Sequence, residues 1–368
     1  MSAADAPQRV VCCLSGGVDS SVAAALLLER GHEVIGVFMR SGVSGHAVGE
    51  KQGCCSVEDA MDARRVADQL GIPFYALNME QGFTRLIERF TDEYARGRTP
   101  NPCVLCNRWL KFGHVLRFAR EVGATRVASG HYARIVERDG RRTLARGRDR
   151  AKDQSYVLSV VEQEQLAAML LPLGELTKAE VRAEAARRGL HRVADKRESQ
   201  EICFVPGDYR ALLRERLPEG APALAGGEVQ HVDGRVLGRH EGTAGFTVGQ
   251  RRGIRVAASE PLYVQRTDPG RRLVVVGPKA ALERTRLEAD EVTWLGARLE
   301  PGQTLRGRAQ VRAHGEAVPV SVVGSGPRAV RCTFADEPLQ GVVPGQVVVV
   351  YDEADDQVLL GGWIRAAS

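Results

Sequence analysis

The stretch Cys13-Leu14-Ser15-Gly16-Gly17-Val18-Asp19-Ser20-Ser21-Val22-Ala23-Ala24-Ala25-Leu26-Leu27 decides the fold. Ahead of it, Arg9-Val10-Val11-Cys12 runs into Cys13 and Leu14 as a continuous apolar segment, the pattern of a strand buried on both faces. Behind it, Val22, Ala23, Leu26 and Leu27 recur at helical spacing, and Gly31 supplies a C-cap. The glycines between let the backbone turn tightly and approach a ligand closely. The loop N–H groups and the helix N-terminus then face one point and make an anion site. The serine hydroxyls add donors, and the Asp19 carboxylate is a ligand for Mg2+.

Outward from this loop, residues 33–39 read as a second strand and residues 74–79 as a third. Between them Ser56 and Asp59 cap a helix through Leu70, which Gly71-Ile72-Pro73 ends. Amphipathic spacing predicts a helix over 81–95 and another over 107–121, followed by a strand at 126–129. Strands alternating with helices define an α/β fold, a doubly wound parallel sheet with its ligand crevice at the carboxyl ends of the strands. A hairpin turning at Asp139-Gly140 carries, with its exit, Arg134, Arg138, Arg141, Arg142, Arg146, Arg148 and Arg150. Thr177 to Glu180 is a capping box for a helix ending near Gly189. From Glu228 the chain becomes short β-runs broken by Gly and Pro, with a break near Gly277-Pro278 and a small barrel from about Leu287. The expected division is residues 1–206 as a nucleotide-binding domain, 207–280 as a β-rich adaptor and 281–368 as a β-barrel.

The length of 368 residues suits two or three domains, and a hydrophobic content of 43% supports a real core. A net charge of +5 with clustered arginines fits a polyanionic partner and, nearly as well, a solvated surface; the arginine hairpin and the C-terminal β domain are expected to grip phosphates. The sequence has no signal-peptide pattern and no apolar run of membrane-spanning length, so a cytoplasmic, membrane-free protein is expected. Eight cysteines without an export signal point to reduced thiols.

Two cysteine segments stand out. In Gly97-Arg98-Thr99-Pro100-Asn101-Pro102-Cys103-Val104-Leu105-Cys106-Asn107 the prolines stiffen the approach to a helix start. Cys106 near that N-terminus, with Arg108 and Lys111 close by, has the setting of a reactive thiol. A zinc half-site or two buried thiols fit the same CxxC, with no second CxxC to complete a zinc set. Cys54-Cys55 suit packing better than ligation. In Glu198-Ser199-Gln200-Glu201-Ile202-Cys203-Phe204 a lone cysteine between apolar neighbours reads more readily as core than as chemistry.

The first loop resembles the SGGxDS loop of the pyrophosphatase-type ATP enzymes, which split ATP into AMP and pyrophosphate to adenylate a carbonyl oxygen. SGGVDSS (15–21), RTPNPCVLCN (98–107), ASGHYAR (128–134), KDQSYVL (152–158), SQEICF (199–204) and GFTVGQRRGI (245–254), in this order, together resemble the tRNA-specific 2-thiouridylases. The resemblance implies a tRNA-uridine 2-sulfurtransferase that replaces the C2 oxygen of the wobble uridine by sulfur. It implies ATP contacts from Cys13, Leu14, Ser15, Gly16, Gly17, Val18, Asp19 and Ser20, with Met39 at adenine and Gly130 lining the pocket. Cys106 matches the nucleophile and Cys203 the persulfide carrier, with a Cys106–Cys203 disulfide as the spent state. Asn101, Pro102 and Cys103 match the loop that holds the target base. His131, Lys152, Asp153, Gln154 and Gln346 match tRNA-contacting positions, and Arg312-Ala313 match more loosely. Implied partners are tRNA and a sulfur donor, a cysteine desulfurase or a relay protein.

One departure from the family pattern is Cys103, where many members carry Asp. Cys103, Cys106 and Cys203 then form a second possible set, ligands to three irons of a four-iron cluster. Two other functions share parts of these signals. A small-molecule adenylating ligase or amidotransferase would use the same ATP loop without paired cysteines. A non-catalytic RNA-binding protein would keep the β domains with a degenerate loop.

Overall fold

The computed structural model describes residues 6–42, 56–138, 140–194, 202–205, 207–334 and 338–368. The expected Cys54-Cys55 pair, the turn residue Asp139 and residues 198–201 of the second cysteine segment lie outside these.

The chain divides into two compact units. The first comprises Met1–Arg85, Cys103–Pro206 and Asp356–Val358; the second comprises Leu86–Pro102, Gly207–Asp355 and Leu359–Ser368. In the first, β1 (Arg9–Cys13) pairs in parallel with β2 (Glu33–Arg40) on one side and with β4 (Arg126–Ala128) on the other. β3 (Phe74–Asn78) extends the sheet beyond β2, and β7 (Met169–Leu170) beyond β4, giving the order β3-β2-β1-β4-β7. Val10, Val11 and Cys12 are fully buried because helices cover both faces of a parallel sheet. After β1 the chain builds outward to one side, then returns to the other at β4. That reversal opens a crevice at the carboxyl ends of β1 and β4.

Local signals set the helices. α1 (Val18–Glu29) starts without a side-chain cap at Gly17; instead Ser20 and Ser21 hydroxyls donate to the Gly17 carbonyl at 3.1 and 2.9 Å. α2 (Val57–Leu70) has the expected Ser56/Asp59 capping box, and Gly71 ends it in the left-handed conformation. α3 spans Glu80–Ala95. The helix expected over 107–121 begins earlier. α4 (Pro102–Leu105) runs into a π-helical stretch over Cys106–His114 and then α5 (Val115–Glu121). Pro102 fits the first helical position, where a missing N–H leaves nothing unpaired. Gly113 permits the wide turn, since a Cβ there would sit 2.8 Å from the Arg108 carbonyl. β5 (Ala133–Arg138) and β6 (Arg141–Arg146) form the hairpin.

Of the remaining helices, α6 (Ser155–Leu158) and α7 (Gln163–Ala168) lead into β7, and α8 (Lys178–Arg187) carries the Thr177/Glu180 capping box. The second unit holds a four-stranded sheet built from Gly227–His231, Val236–His240, Tyr263–Asp268 and Leu273–Gly277. It also holds a closed six-stranded barrel that begins with Arg286–Trp294 and ends with Val358–Ala367. Leu287, Val322, Val348, Val350 and Leu360 are fully buried inside the barrel's core.

Candidate active site

The glycine-rich loop leaves β1 at the crevice. Gly16 has φ +70°, and a Cβ there would lie 2.3 Å from the Asp59 carbonyl, so only glycine fits between the loop and α2. The Ser15 N–H donates to the Ser20 hydroxyl at 3.1 Å, which closes the loop over the start of α1. From β4, Ser129-Gly130-His131 approaches the same place. A Cβ on Gly130 would lie 2.7 Å from the backbone of Asp19 and Ser20, so Gly130 lets the two strand ends meet. Met39 is the last residue but one of β2 and is buried.

Asp19 does not face open solvent. Its carboxylate receives Lys178 Nζ at 2.8 Å on each oxygen and the Tyr132 hydroxyl at 2.7 Å. Lys178 is only 9% exposed, and its ammonium also lies 5.7 Å from the centre of the Tyr132 ring. Sequence reasoning missed Lys178 and Tyr132. A signal for Lys178 was present: a lysine at the first position of a helix is disfavoured by the positive end of the dipole, so something else must hold it there. The Asp19 carboxylate does.

His131 is buried and shares a 2.7 Å hydrogen bond with the Ser129 hydroxyl. Burial, reinforced by the Lys111 charge, pushes its pKa well below the usual histidine value, so the ring is neutral. Lys111 also acts electrostatically on Cys13, whose thiol burial pushes up to about 11. Cys12, deeper in the strand, is raised further by burial. Both are inert thiols, and Cys13 serves the loop through its backbone. The His131 shift carries a pH dependence. Neutral in the folded state and protonated below about pH 6.5 when unfolded, His131 withdraws stability as pH falls. The melting temperature should drop between pH 7.5 and 5.5, and His131→Gln should flatten that drop.

The hairpin arginines are bound within the protein. Arg134 and Arg150 pair with Asp356, and Arg138 donates to Gln357. Arg142 donates to the Ala167 and Met169 carbonyls at 2.9 and 3.0 Å, although Glu137 lies opposite it in the hairpin register. Arg146 pairs with Asp153 and Arg148 with Glu180. Among the described residues, Arg141 alone of this set is exposed with no side-chain partner. The expectation of a free phosphate-gripping hairpin is therefore corrected: folding consumes most of its charge.

Asp153 accepts from Arg146, the Gly147 and Ser155 N–H groups and the Ser155 hydroxyl, at 2.8–3.1 Å. Gln154 exchanges hydrogen bonds with the Tyr132 backbone, accepting at Oε1 and donating from its own N–H. Lys152 is half-buried in the turn before them. In the second unit, the buried Gln310 donates to the Arg312 and Ala313 carbonyls and leaves the Arg312 side chain exposed.

Cys103 is exposed, while Cys106 and Cys203 are half-buried. Asn107 anchors the Cys106 turn by donating to the Val157 carbonyl at 3.1 Å. The cluster expectation fails on geometry: among the described residues, which include all three cysteines, no three Cys, His, Asp or Glu side chains gather to hold a metal. The same holds for a zinc site.

A doubly wound sheet with a closed SGGVDSS loop at its switch point, followed by two β domains, defines an ATP-using α/β enzyme of the pyrophosphatase type. Comparisons with known proteins narrow this. Residues 8–207 match the family model described as tRNA methyl transferase HUP domain. Residues 214–278 match the tRNA methyl transferase PRC-barrel domain, and residues 284–364 the aminomethyltransferase beta-barrel domain. The chain is 51% identical to the tRNA-specific 2-thiouridylase MnmA of Geobacter metallireducens, covering 98% of each chain. It is 45% identical to the protein of the same name from Rhodopirellula baltica, covering 98% of this chain and 96% of that one. A 4-thiouridine synthetase–RNA complex with bound ATP is similar at 20% identity and TM-score 0.37, over 56% of this chain and 50% of that one. The chain belongs to the tRNA-specific 2-thiouridylase family.

Proposed function

We propose that this protein adenylates the C2 oxygen of the wobble uridine of tRNA with ATP and replaces it by sulfur, giving 2-thiouridine, AMP and diphosphate. The observation that carries this reading is a complete SGGVDSS loop, closed against Gly130, in the same compact unit as two half-buried cysteines, Cys106 and Cys203. The loop suits chemistry on ATP, and two thiols are what sulfur delivery needs. The family models' descriptions speak of methyl transfer, but a methyl donor would use neither feature.

In this reading the loop N–H groups of residues 15–20 hold the phosphates, Gly130 lines the nucleotide pocket and Met39 packs on adenine. Asp19 would be the carboxylate that holds Mg2+, which would supply positive charge to the phosphates, and Lys178, paired with Asp19 at 2.8 Å, would add a second cation beside them. The uracil C2 oxygen is a poor leaving group, and adenylation makes it leave as AMP. Cys203 receives a sulfur from a donor, a cysteine desulfurase or relay protein, as a persulfide. The Cys106 thiolate attacks the inner sulfur and forms the Cys106–Cys203 disulfide. The hydrosulfide released attacks C2, and AMP departs. A reductant must then return the disulfide to two thiols. Asn101, Pro102 and Cys103 flank the target base, which must leave its stack to be reached. Lys152 and His131, with Arg312-Ala313, are the tRNA-side residues of this scheme, and Asp153 and Gln154 shape the turn beside them. In this reading the protein meets its tRNA in the cytoplasm. No described helix is long and apolar enough to cross a membrane.

The arginine hairpin separates two kinds of charge. Arg141→Glu should weaken tRNA binding about tenfold at low salt and lower the salt slope by about one, with ATP binding unchanged. Arg142→Glu removes two bonds to the β7 approach and should lower the melting temperature instead. Filter binding across a salt series, with thermal melts, reads both. Equal tRNA affinity for Arg141→Glu and wild type would remove this face from the tRNA path.

A further inference from the structure

The segment before the prolines is held at both main-chain groups of Gly97 and of Thr99 and at the Arg98 N–H. The Gly97 N–H donates to the Tyr94 carbonyl, and its own carbonyl accepts from the Thr267 hydroxyl at 3.0 Å. The Arg98 N–H donates to the Glu93 carbonyl, and its guanidinium to the Glu93 carboxylate at 2.7 Å. Glu93 is only 4% exposed and also faces Arg89 at 3.4 Å. Thr99 is held on both sides by one turn of the barrel. Its N–H donates to the Pro344 carbonyl at 2.9 Å, and its carbonyl accepts from Gln346 Nε2 at 2.8 Å. Gly345 between them has φ +94°, and a Cβ there would lie 3.0 Å from the Thr99 nitrogen. The turn is itself rigid: the Gly345 N–H donates to the Ile364 carbonyl, and the Ile364 N–H to the Gln346 carbonyl.

We infer that Gln346 is a positioning residue for the base loop: with Pro344 and Gly345 it clamps Thr99 and so fixes Pro100, Asn101 and Pro102. This rests on the function proposed above for Asn101 and Pro102. Two prolines directly after Thr99 leave little backbone freedom to absorb a shift, so a loosened clamp passes straight to the residues beside the base.

Gln346→Met keeps the side-chain length and deletes the donor. At saturating tRNA its kcat for thiolation should fall about tenfold or more, the cost expected of a small misplacement of reacting groups. Its tRNA Kd should stay within about twofold and its melting temperature within about 2 °C of wild type. Gln346→Glu, which presents a carboxylate to the Thr99 carbonyl, should lower kcat further. Amide exchange of the peptide covering residues 97–102, read on the free protein, should accelerate in both variants. A weakened Kd with unchanged kcat and unchanged exchange would make Gln346 a tRNA contact and overturn the clamp. Because the exchange comparison needs no substrate, it decides the clamp even if the wild type were to make no 2-thiouridine. That last result would count against the proposed function alone.

Discussion

Asp19→Ala should abolish tRNA-dependent AMP formation and, at the same time, cost the fold about 2–3 kcal/mol. The first effect follows from the position of Asp19 in the phosphate loop, where no other carboxylate of SGGVDSS can serve a metal. The second follows from Lys178. Reading the loop alone, Asp19 looks solvent-facing and its loss nearly neutral; the structure overturns that. Removing it leaves a buried ammonium with its two 2.8 Å contacts gone and the Tyr132 hydroxyl without its acceptor. Breaking a buried pair costs about 3–5 kcal/mol, and the partial exposure of Asp19 reduces this. Lys178→Met separates the two effects. It removes the charge that needs pairing, so stability should recover in the double variant, while adenylation stays low. Pyrophosphate exchange and urea unfolding on the three variants read this. Wild-type stability in Asp19→Ala would mean that the Lys178 pair contributes nothing.

The second large effect concerns sulfur. Cys203→Ser and Cys106→Ser should each reduce 2-thiouridine formation below detection while leaving tRNA-dependent AMP formation within about threefold of wild type. A hydroxyl in place of Cys203 carries no persulfide, and a hydroxyl in place of Cys106 is a far weaker nucleophile at neutral pH. Neither residue contributes to the phosphate loop, so activation should persist. Cys103 is the control. It is exposed and, among the described residues, joins no metal-holding group, so Cys103→Ser should retain most of the activity. Loss of adenylation in Cys203→Ser would mean that this segment shapes the nucleotide site.

The parts of this protein that were legible in its sequence are those fixed by neighbours in the chain. The strand–loop–helix around Gly16 needs only local apolar runs and glycines. The Ser56/Asp59 and Thr177/Glu180 boxes each lie within four residues, and both formed as read. What escaped depends on where the chain returns. Lys178 reaches Asp19 across 159 residues, because α8 packs back toward the start of α1, and no local pattern encodes that meeting. The hairpin arginines looked free because their partners, Asp356, Glu180 and the carbonyls of Ala167 and Met169, lie outside the hairpin. The early helix start at Pro102 was hidden because the Pro-Asn-Pro run reads as a stiff approach, whereas proline suits the first helical turn as well. The clustering of Leu86–Pro102 with the β-rich unit has no signature in that segment, since its amphipathic stripe does not say which domain it faces.

The central claim is that one enzyme activates and thiolates the wobble uridine. It is tested most directly by incubating the protein with ATP, Mg2+, a persulfide-generating sulfur donor and unmodified tRNA, then digesting the tRNA and weighing its wobble nucleoside. The account predicts a uridine in which sulfur has replaced one oxygen at C2, with one AMP and one diphosphate formed per modified base, and no product without ATP. A methylated uridine would contradict it. So would an unmodified one, with ATP consumed equally in the absence of tRNA.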